Sequence, residues 1–414
     1  MLPTLTKSRL KIHWATYCLA DFRNWWAERQ DRLLGVAVSL MLMAALVWLG
    51  YQFWRLLGQT GWWGAVDLRI LHGLVHEWFG GRPVYSASPD AIHPPATYAL
   101  LWPLLGWPEF TPARWLWAVT AVAALAWLSY LAVRESGAET RQERAVAALM
   151  VLSAYATGAA IGNGQLIVHI LPMLVTGLLF LRRNESNWSG DLLAGILILF
   201  TLVKPNISAP FFWIVLFAAN SLRPALVAAL GYMALTCFAL WFQPGDLAVL
   251  FGDWQARSSA VAVRPGHGNV SNLHIWLSTS ALEEWILPMS LLVLIALGVW
   301  IYHHRSVDLW LLMGVTAYVA RFWTYHRWYD DLLILLPMIA LFRLAKQCPK
   351  HPEAGALAAV LLAVTILAMV APGGLFLFPP PWNMHYVTGQ IVLWTLGLLF
   401  LVERAWKERT IRVN

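Results

Sequence analysis

Residues 61–95 read GWWGAVDLRILHGLVHEWFGGRPVYSASPDAIHPP and separate the first long apolar run from the next. Asp67 opens a segment whose apolar residues recur at the spacing of one helical face: Leu68, Leu71, Leu74, Val75 and Trp78. Gly80, Gly81 and Pro83 are expected to end that helix. The stretch therefore predicts an interfacial helix that begins with an acid and lies beside a membrane.

Composition places the chain among integral membrane proteins. Of its 414 residues, 59% are hydrophobic, 12% are charged and 26 are tryptophan. A soluble domain carries about 25% charged residues, so half that share predicts a polytopic membrane protein. Three widely separated cysteines predict neither a disulfide framework nor a metal site. The net charge of +7 does not indicate nucleic acid, because the basic residues lie mainly in short loops.

The apolar runs predict an all-α bundle of about twelve transmembrane helices, with interfacial helices in the first external loop. Full spans are expected at 33–53 and 113–133, and further apolar runs follow near 145–161, 165–181, 190–203, 206–219, 225–242, 286–302, 308–323, 332–345, 355–371 and 387–402. Residues 96–107 are shorter than the ~20 residues that a crossing needs, and they contain Pro103. We expect them to form a half-depth helix.

The loop charges predict the orientation of the bundle. Lysine and arginine collect in one set of loops, which the positive-inside rule assigns to the cytoplasm. The expected organisation is a cytoplasmic amphipathic segment at 1–32, a transmembrane domain at 33–403 and a cytoplasmic tail at 404–414. External loops are expected at 54–112 and 243–285, on the side that also collects most of the unusual polar groups. The basic start shows no cleavage-like site, so no signal peptide is expected.

Several polar residues on the expected external side are candidates for a site. Lys204 lies between two apolar runs, where a charge is costly unless it faces a cavity or a partner. The alternative is a lysine that snorkels at a helix end. Gln165, in a tight G-N-G-Q turn, is either a binding residue or a helix cap. The 243–275 loop supplies Arg257 and Arg264, which are either substrate ligands or ordinary solvated residues.

The densest polar segment is RFWTYHRWYDD at residues 321–331. Aromatic residues alternate there with both signs of charge, which suits a sugar or phosphate cavity and also fits an aromatic belt. His326 and Asp330 are its binding candidates. In the first external loop the further binding candidates are Tyr85 and His93.

This set of residues predicts group transfer from a lipid phosphate. No hydrolase triad, zinc pair, Walker loop or dinucleotide fingerprint is present. A phosphate leaving group needs cations rather than a general acid, and Lys204 with Arg264 or Arg257 is expected to hold it. The acceptor hydroxyl needs one base, for which Asp67 is the candidate. The alternative is that Asp67 only caps its helix. No cofactor is predicted, and the metal requirement stays open.

The order of the motifs resembles glycosyltransferase family 87. The segments that carry the likeness are GRPVYS and IHPPATYALLWPLLGW, which follow the first acid, then GNGQLIVHILPMLVTGLLFLRR, SGDLLAGILILFTLVKPNISAPFF and YHRWYDDLLILLP. The likeness covers most of the chain in order. It departs at Leu166 and Ile167, where the family often has Asn, and at His93, which replaces a common Tyr.

The resemblance implies an inverting transferase of the GT-C superfamily, similar to mycobacterial polyprenyl-phosphate-mannose-dependent mannosyltransferases. The implied donor is a polyprenyl phosphate sugar, mannose-like or pentose, and the acceptor is a glycolipid or glycan. The implied place is a bacterial inner membrane with the site facing the periplasm. Asp67 stands in the family's base position.

Other classes stay open at this point. A ligase or polymerase of lipid-linked glycans would share the donor type but would normally place its catalytic residues in one large late loop. A secondary transporter should show internal repeats with paired broken helices. A non-catalytic assembly protein is a further alternative. Convergence of Asp67, Lys204 and His326 in one cavity would favour the transferase.

Overall fold

The described part of the chain is helical throughout. A computed structural model describes residues 7–182, 187–263, 271–347, 352–370 and 378–413. Within these ranges the regular secondary structure is α-helix or 310 helix, and no strand is present. The prediction of an all-α protein is confirmed.

The α-helices of these ranges follow one another along the chain. They are α1 Lys7–Leu57, α2 Val66–Phe79, α3 Val84–Ala87, α4 Pro95–Leu105, α5 Phe110–Glu135, α6 Arg141–Leu152, α7 Tyr155–Asn163, α8 Ile167–Leu181, α9 Trp188–Thr201, α10 Pro205–Ser208, α11 Phe212–Phe217, α12 Arg223–Leu240, α13 Leu247–Ala262, α14 Leu273–Thr279, α15 Ile286–His304, α16 Leu309–Trp323, α17 Leu335–Gln347, α18 Pro352–Val370 and α19 Trp382–Val413. The 310 helices are Ala209–Phe211, Glu283–Trp285 and Trp328–Ile334.

Six helical stretches among the described residues are long and apolar enough to cross a membrane: Arg29–Leu57, Phe110–Glu135, Arg223–Leu240, Glu283–His304, Pro352–Val370 and Trp382–Ile411. The pair α6 and α7, bent by 40°, is a candidate for a seventh span. These helices fit a multi-pass membrane protein.

The predicted count of about twelve spans is not confirmed, because several apolar runs form shorter helices than expected. α8, α9 and α16 have 15, 14 and 15 residues, below the ~20 that a crossing needs. The run at 206–219 is broken into α10, a 310 turn and α11.

The two ends of the chain continue into neighbouring spans. α1 is one helix from Lys7 to Leu57, so the predicted surface segment and the first span share a continuous backbone. α19 extends to Val413, so the predicted tail is the end of the last helix. The cytoplasmic assignment of 1–32 and 404–414 stays a prediction.

The first external loop has the elements that its sequence predicts. α2 ends at Phe79 and buries the face formed by Leu68, Leu71, Leu74, Val75 and Trp78. α4 has 11 residues, contains Pro103 and is too short to cross a membrane. Both helices pack on the bundle and bring the loop close to the breaks in the later helices.

Candidate functional site

The start of α2 lies against the G-N-G-Q turn between α7 and α8. Ala65, in the left-handed region at φ 53°, donates its N–H to the carbonyl of Gly162 at 3.2 Å. Gly164 has φ +74°, and a Cβ there would lie 2.4 Å from Cβ of Leu68. Glycine accommodates both the backbone angle and the close approach. The turn therefore places Gln165 beside the first turn of α2.

Asp67 lies in the first turn of α2 but does not cap it. The N-cap residue is Ala65, and no side chain makes a cap hydrogen bond there. Asp67 instead lies beside the side chain of Gln165, whose amide favours the ionised carboxyl group. Burial raises the pKa of the Asp67 carboxyl, while Gln165 and the Lys204 ammonium offset part of that rise. The residue as a whole is partly exposed.

Lys204 occupies the break between α9 and α10. A residue before proline disfavours the helical conformation, and Pro205 begins α10. The buried Nζ donates to Oδ1 of Asp330 at 2.7 Å and to Oε1 of Gln165 at 3.2 Å. Lys204 therefore faces partners inside the protein, and it is not a lysine that snorkels at a helix end.

Asp330 is fully buried at the start of the 310 helix Trp328–Ile334. In addition to the Lys204 contact, its Oδ2 lies 3.3 Å from Nδ1 of His326 and accepts the backbone N–H of Arg327 at 3.3 Å. Burial alone would raise the pKa of Asp330, but the Lys204 ammonium and the His326 hydrogen bond hold it below its usual range. Asp330 is therefore a carboxylate at neutral pH.

Gln165 connects the two carboxyl groups. Its Oε1 accepts from Nζ of Lys204, so Nε2, which carries the amide protons, is left to interact with Asp67. Asp330 contacts the Lys204 ammonium directly, whereas Asp67 has the neutral amide of Gln165 beside it. The pKa of Asp67 is raised and that of Asp330 is lowered. Two neighbouring carboxyl groups with opposite shifts are typical of sites that perform acid–base chemistry.

His93 and Tyr85 belong to the wall of the same site. Burial and the nearby Lys204 ammonium lower the pKa of His93 to about 3, so its imidazole is neutral. The hydroxyl of Tyr85 donates to the carbonyl of His93 at 2.6 Å. Arg257 of α13 donates through Nε to the carbonyl of Tyr85 at 3.0 Å and through Nη2 to that of Ser86 at 3.2 Å. Arg257 thus ties α13 to α3.

Hydrogen bonds hold the break at Lys204 between α4 and the 321–331 segment. The hydroxyl of Thr97 donates to the carbonyl of Val203 at 2.8 Å. Nδ2 of Asn206 donates to the carbonyl of Tyr325 at 3.0 Å, and Nε1 of Trp323 donates to the carbonyl of Asn206 at 3.1 Å. The bonds to Val203 and Asn206 satisfy backbone carbonyls at the break, and the bond to Tyr325 ties the break to the 321–331 segment.

The structure thus brings most of the predicted site residues together. Asp67, Gln165, Lys204, His326 and Asp330 form one cluster, with His93 beside it. Arg257 supports α3, and Arg264 lies outside the described residues, so the expected phosphate contacts of both stay predictions.

Sequence reasoning passed over Arg327. This arginine is half-buried, its Nε donates to the hydroxyl of Tyr325, and its charge lowers the pKa of Asp67. The alternation of aromatic and charged residues in 321–331 was the available signal, but it does not distinguish Arg327 from its neighbours. Within the described ranges, no three His, Cys, Asp or Glu side chains are grouped as metal ligands.

A cavity of about 120 Å³ opens between α3 and α13. Tyr85, Ser86, Gln243, Asp246 and Asp253 are among its lining residues. Because the hydroxyl of Tyr85 reaches the carbonyl of His93, this cavity adjoins the wall of the cluster.

Comparison with known proteins gives the family. A model of glycosyltransferase family 87 matches residues 91–342, more than half of the chain. The chain belongs to glycosyltransferase family 87. The match confirms the resemblance seen in the sequence, and it identifies the protein as a membrane glycosyltransferase. Neither a curated protein nor a solved structure matches the chain.

The matched range of this family 87 glycosyltransferase includes most of the cluster, namely His93, Gln165, Lys204, His326 and Asp330. Asp67 and the whole of α2 precede it. The carboxyl group with the raised pKa is therefore brought to the family-defining part of the chain by the glycine turn described above.

Proposed function

We propose that this enzyme transfers a sugar from a polyprenyl phosphate donor to a hydroxyl of a lipid-linked or glycan acceptor. The reaction inverts the anomeric centre, on the external face of a bacterial inner membrane, and Asp67 is its general base. The observation that carries the proposal is the pair of carboxyl groups with opposite pKa shifts, joined through Gln165 and Lys204. The external face follows from the distribution of basic loops.

Asp67 suits the role of base because of its surroundings. Its pKa is raised, the residue is partly exposed, and the amide of Gln165 lies beside its carboxyl group. In the proposed step the acceptor oxygen bonds to C1 of the sugar while the bond from C1 to the phosphate oxygen breaks. The acceptor proton goes to Asp67, and the electron pair of the broken bond goes to the phosphate. One base suffices for this displacement.

The leaving phosphate needs a cation that is not already neutralised. Lys204 is paired with Asp330, and Arg257 donates to backbone carbonyls. Arg327 is half-exposed and lies close enough to Asp67 to lower its pKa. We therefore assign the first phosphate contact to Arg327, with the Lys204 ammonium behind it. Hydrogen bonds between charged groups are roughly twice as strong as neutral ones, which favours this arrangement.

A transfer assay tests the proposal. Purified protein in lipid nanodiscs is given a panel of radiolabelled polyprenyl phosphate sugars, including mannose and pentose donors, with membrane glycolipids as acceptors. We expect Asp67→Asn to lower kcat by about 10²–10⁴-fold, because the amide cannot accept a proton. Asp90→Asn, a change of the same kind in the same loop, is the control and should retain kcat.

Two outcomes contradict separate parts of the proposal. Near-normal turnover by a well-folded Asp67→Asn enzyme removes Asp67 from the mechanism. Absence of transfer by the wild-type protein from every polyprenyl phosphate sugar, while a nucleotide sugar is accepted, overturns the donor class.

A further inference from the structure

Asp331 follows Asp330 directly, yet its carboxylate has a different set of partners. Successive residues of a 310 helix point about 120° apart, because the helix has three residues per turn. One oxygen of Asp331 pairs with Nε of Arg321, and the other accepts from the hydroxyl of Tyr155. Asp331, Arg321 and Tyr155 are all buried. The 310 helix is thus anchored on two sides by two adjacent carboxylates.

The contacts of Asp331 extend to the C-terminal helix. Nε2 of Gln390, on α19, donates to the hydroxyl of Tyr155 at 2.9 Å and to that of Tyr386 at 3.1 Å. The set thereby joins α7, α16 and α19 to the 310 helix. We call the following residues the Asp331 network: Tyr155, Arg321, Asp331 and Gln390.

We infer that the Asp331 network is a positioning device: it fixes the rotation of the 310 helix Trp328–Ile334 and so holds Asp330 against Lys204. The inference rests on the proposed function, in which the state of Lys204 and Gln165 sets the behaviour of Asp67. Asp330 and Asp331 are consecutive residues of one short helix, so a rotation of that helix that moves Asp331 also moves Asp330. The contact between Lys204 and Asp330 is 2.7 Å long and tolerates little displacement.

Stability alone does not account for this network. A buried ion pair such as that of Arg321 and Asp331 contributes little net stability, because desolvation of both charges offsets their attraction. Gln390 moreover lies beyond residue 342, where the family match ends. In this protein the last helix therefore supplies part of the support for a carboxylate that the family match includes.

Tyr155→Phe is the informative change, because it removes one hydroxyl from the Asp331 network and keeps the ring. We expect kcat of sugar transfer to fall by about 10- to 100-fold, as a misplaced charged group implies. In an Asp330→Asn background the same change should have no further effect on kcat/KM, because the carboxylate through which it acts is absent. If Tyr155 had a merely structural role, the fold-losses in kcat/KM caused by Tyr155→Phe and Asp330→Asn would instead multiply in the double variant.

Tyr318→Phe provides the matched control. Tyr318 is a buried tyrosine of α16, and its hydroxyl has no hydrogen-bond partner among the described residues. This variant should keep wild-type kcat and the wild-type unfolding temperature. Multiplicative losses in the double variant, or normal kcat in Tyr155→Phe, would overturn the inference.

A structural measurement makes the inference testable without activity. Cryo-electron microscopy of Tyr155→Phe should show the 310 helix displaced and the distance from Nζ of Lys204 to Oδ1 of Asp330 lengthened beyond hydrogen-bonding range. An unchanged distance overturns the positioning role even if the wild-type protein transfers no polyprenyl-linked sugar. Failure of the inference is thereby distinguished from failure of the proposed function.

Discussion

Replacement of Asp330 by asparagine tests the ion pair at the centre of the site. The change keeps the size of the side chain but leaves the ammonium of Lys204 without its counter-ion. Lys204 is buried, with 7% of its surface exposed in the wild-type structure. Removal of one partner from a buried pair costs about 3–5 kcal/mol. Gln165 still accepts a hydrogen bond from Lys204, so we expect a loss in the lower part of that range.

The loss depends on pH in a defined direction. The Lys204 ammonium and His326 hold the pKa of Asp330 below that of the unfolded chain, which is about 3.9. The carboxylate therefore contributes stability that is fully present above that value and is lost as the pH falls toward the lower folded pKa. Asparagine does not titrate, so the difference between wild type and Asp330→Asn should narrow in acid.

Thermal unfolding in detergent, followed by tryptophan fluorescence from neutral pH into acid, measures both effects. Asp246→Asn is the matched control, because Asp246 caps α13 at an exposed position and asparagine is an equivalent cap. The double variant Lys204→Met, Asp330→Leu should recover most of the stability, since an apolar pair replaces both charges, while remaining inactive. An Asp330→Asn protein as stable as the wild type at every pH would refute the reasoning.

Three further predictions concern other parts of the site. Gly164→Ala should lower the free energy of unfolding by about 1–3 kcal/mol, because the residue has φ +74° and its new Cβ meets Leu68. Chemical denaturation measures the change, and the control is Gly252→Ala, where nothing lies within 4 Å of the added Cβ. An unchanged denaturation midpoint would argue against the close approach. Arg327→Gln should raise KM for the proposed polyprenyl phosphate donor by about tenfold or more, because one charge-assisted contact is lost. The exposed Arg82→Gln is the control and should keep the wild-type KM. Equal KM values for the wild type and Arg327→Gln in steady-state kinetics would remove Arg327 from the proposed phosphate site. In a plot of kcat against pH, the midpoint of the acid limb should lie above the ordinary aspartate pKa of about 3.9, because burial raises the pKa of Asp67 and the proposed base must be ionised. A midpoint at or below that value would contradict the assignment of Asp67 as the base.

The sequence predicted the local elements of this site well. The period of apolar residues from Leu68 to Trp78 predicted α2, and Gly80 correctly marked its end. The charge of Lys204 between apolar runs, costly without a partner, correctly indicated a buried contact. In both cases the physical reason acts over a few neighbouring residues.

Features that depend on distant partners were not predictable in the same way. The partner of Lys204 is Asp330, which lies 126 residues further along the chain, and no local pattern selects it over Asp331. The helix count is not confirmed, and one reason is that apolar runs do not reveal where a helix breaks, as between α9 and α11. The position of Gln165 between Lys204 and Asp67 depends on three elements meeting at once: α2, the turn before α8 and the break before α10.

The contact between the amide of Gln165 and Lys204 has a consequence for proton transfer. Its oxygen is occupied by Lys204, and its nitrogen faces Asp67, so the amide conducts no proton inward. In the proposed mechanism, a proton that Asp67 takes from an acceptor is therefore not passed through Gln165 to Lys204, and we expect it to leave on the side from which the acceptor enters. Each catalytic cycle would then discharge its acid into the aqueous compartment on the side of α2. The pH of that compartment, and not the pH on the opposite side of the membrane, would govern how quickly Asp67 loses its proton before the next cycle.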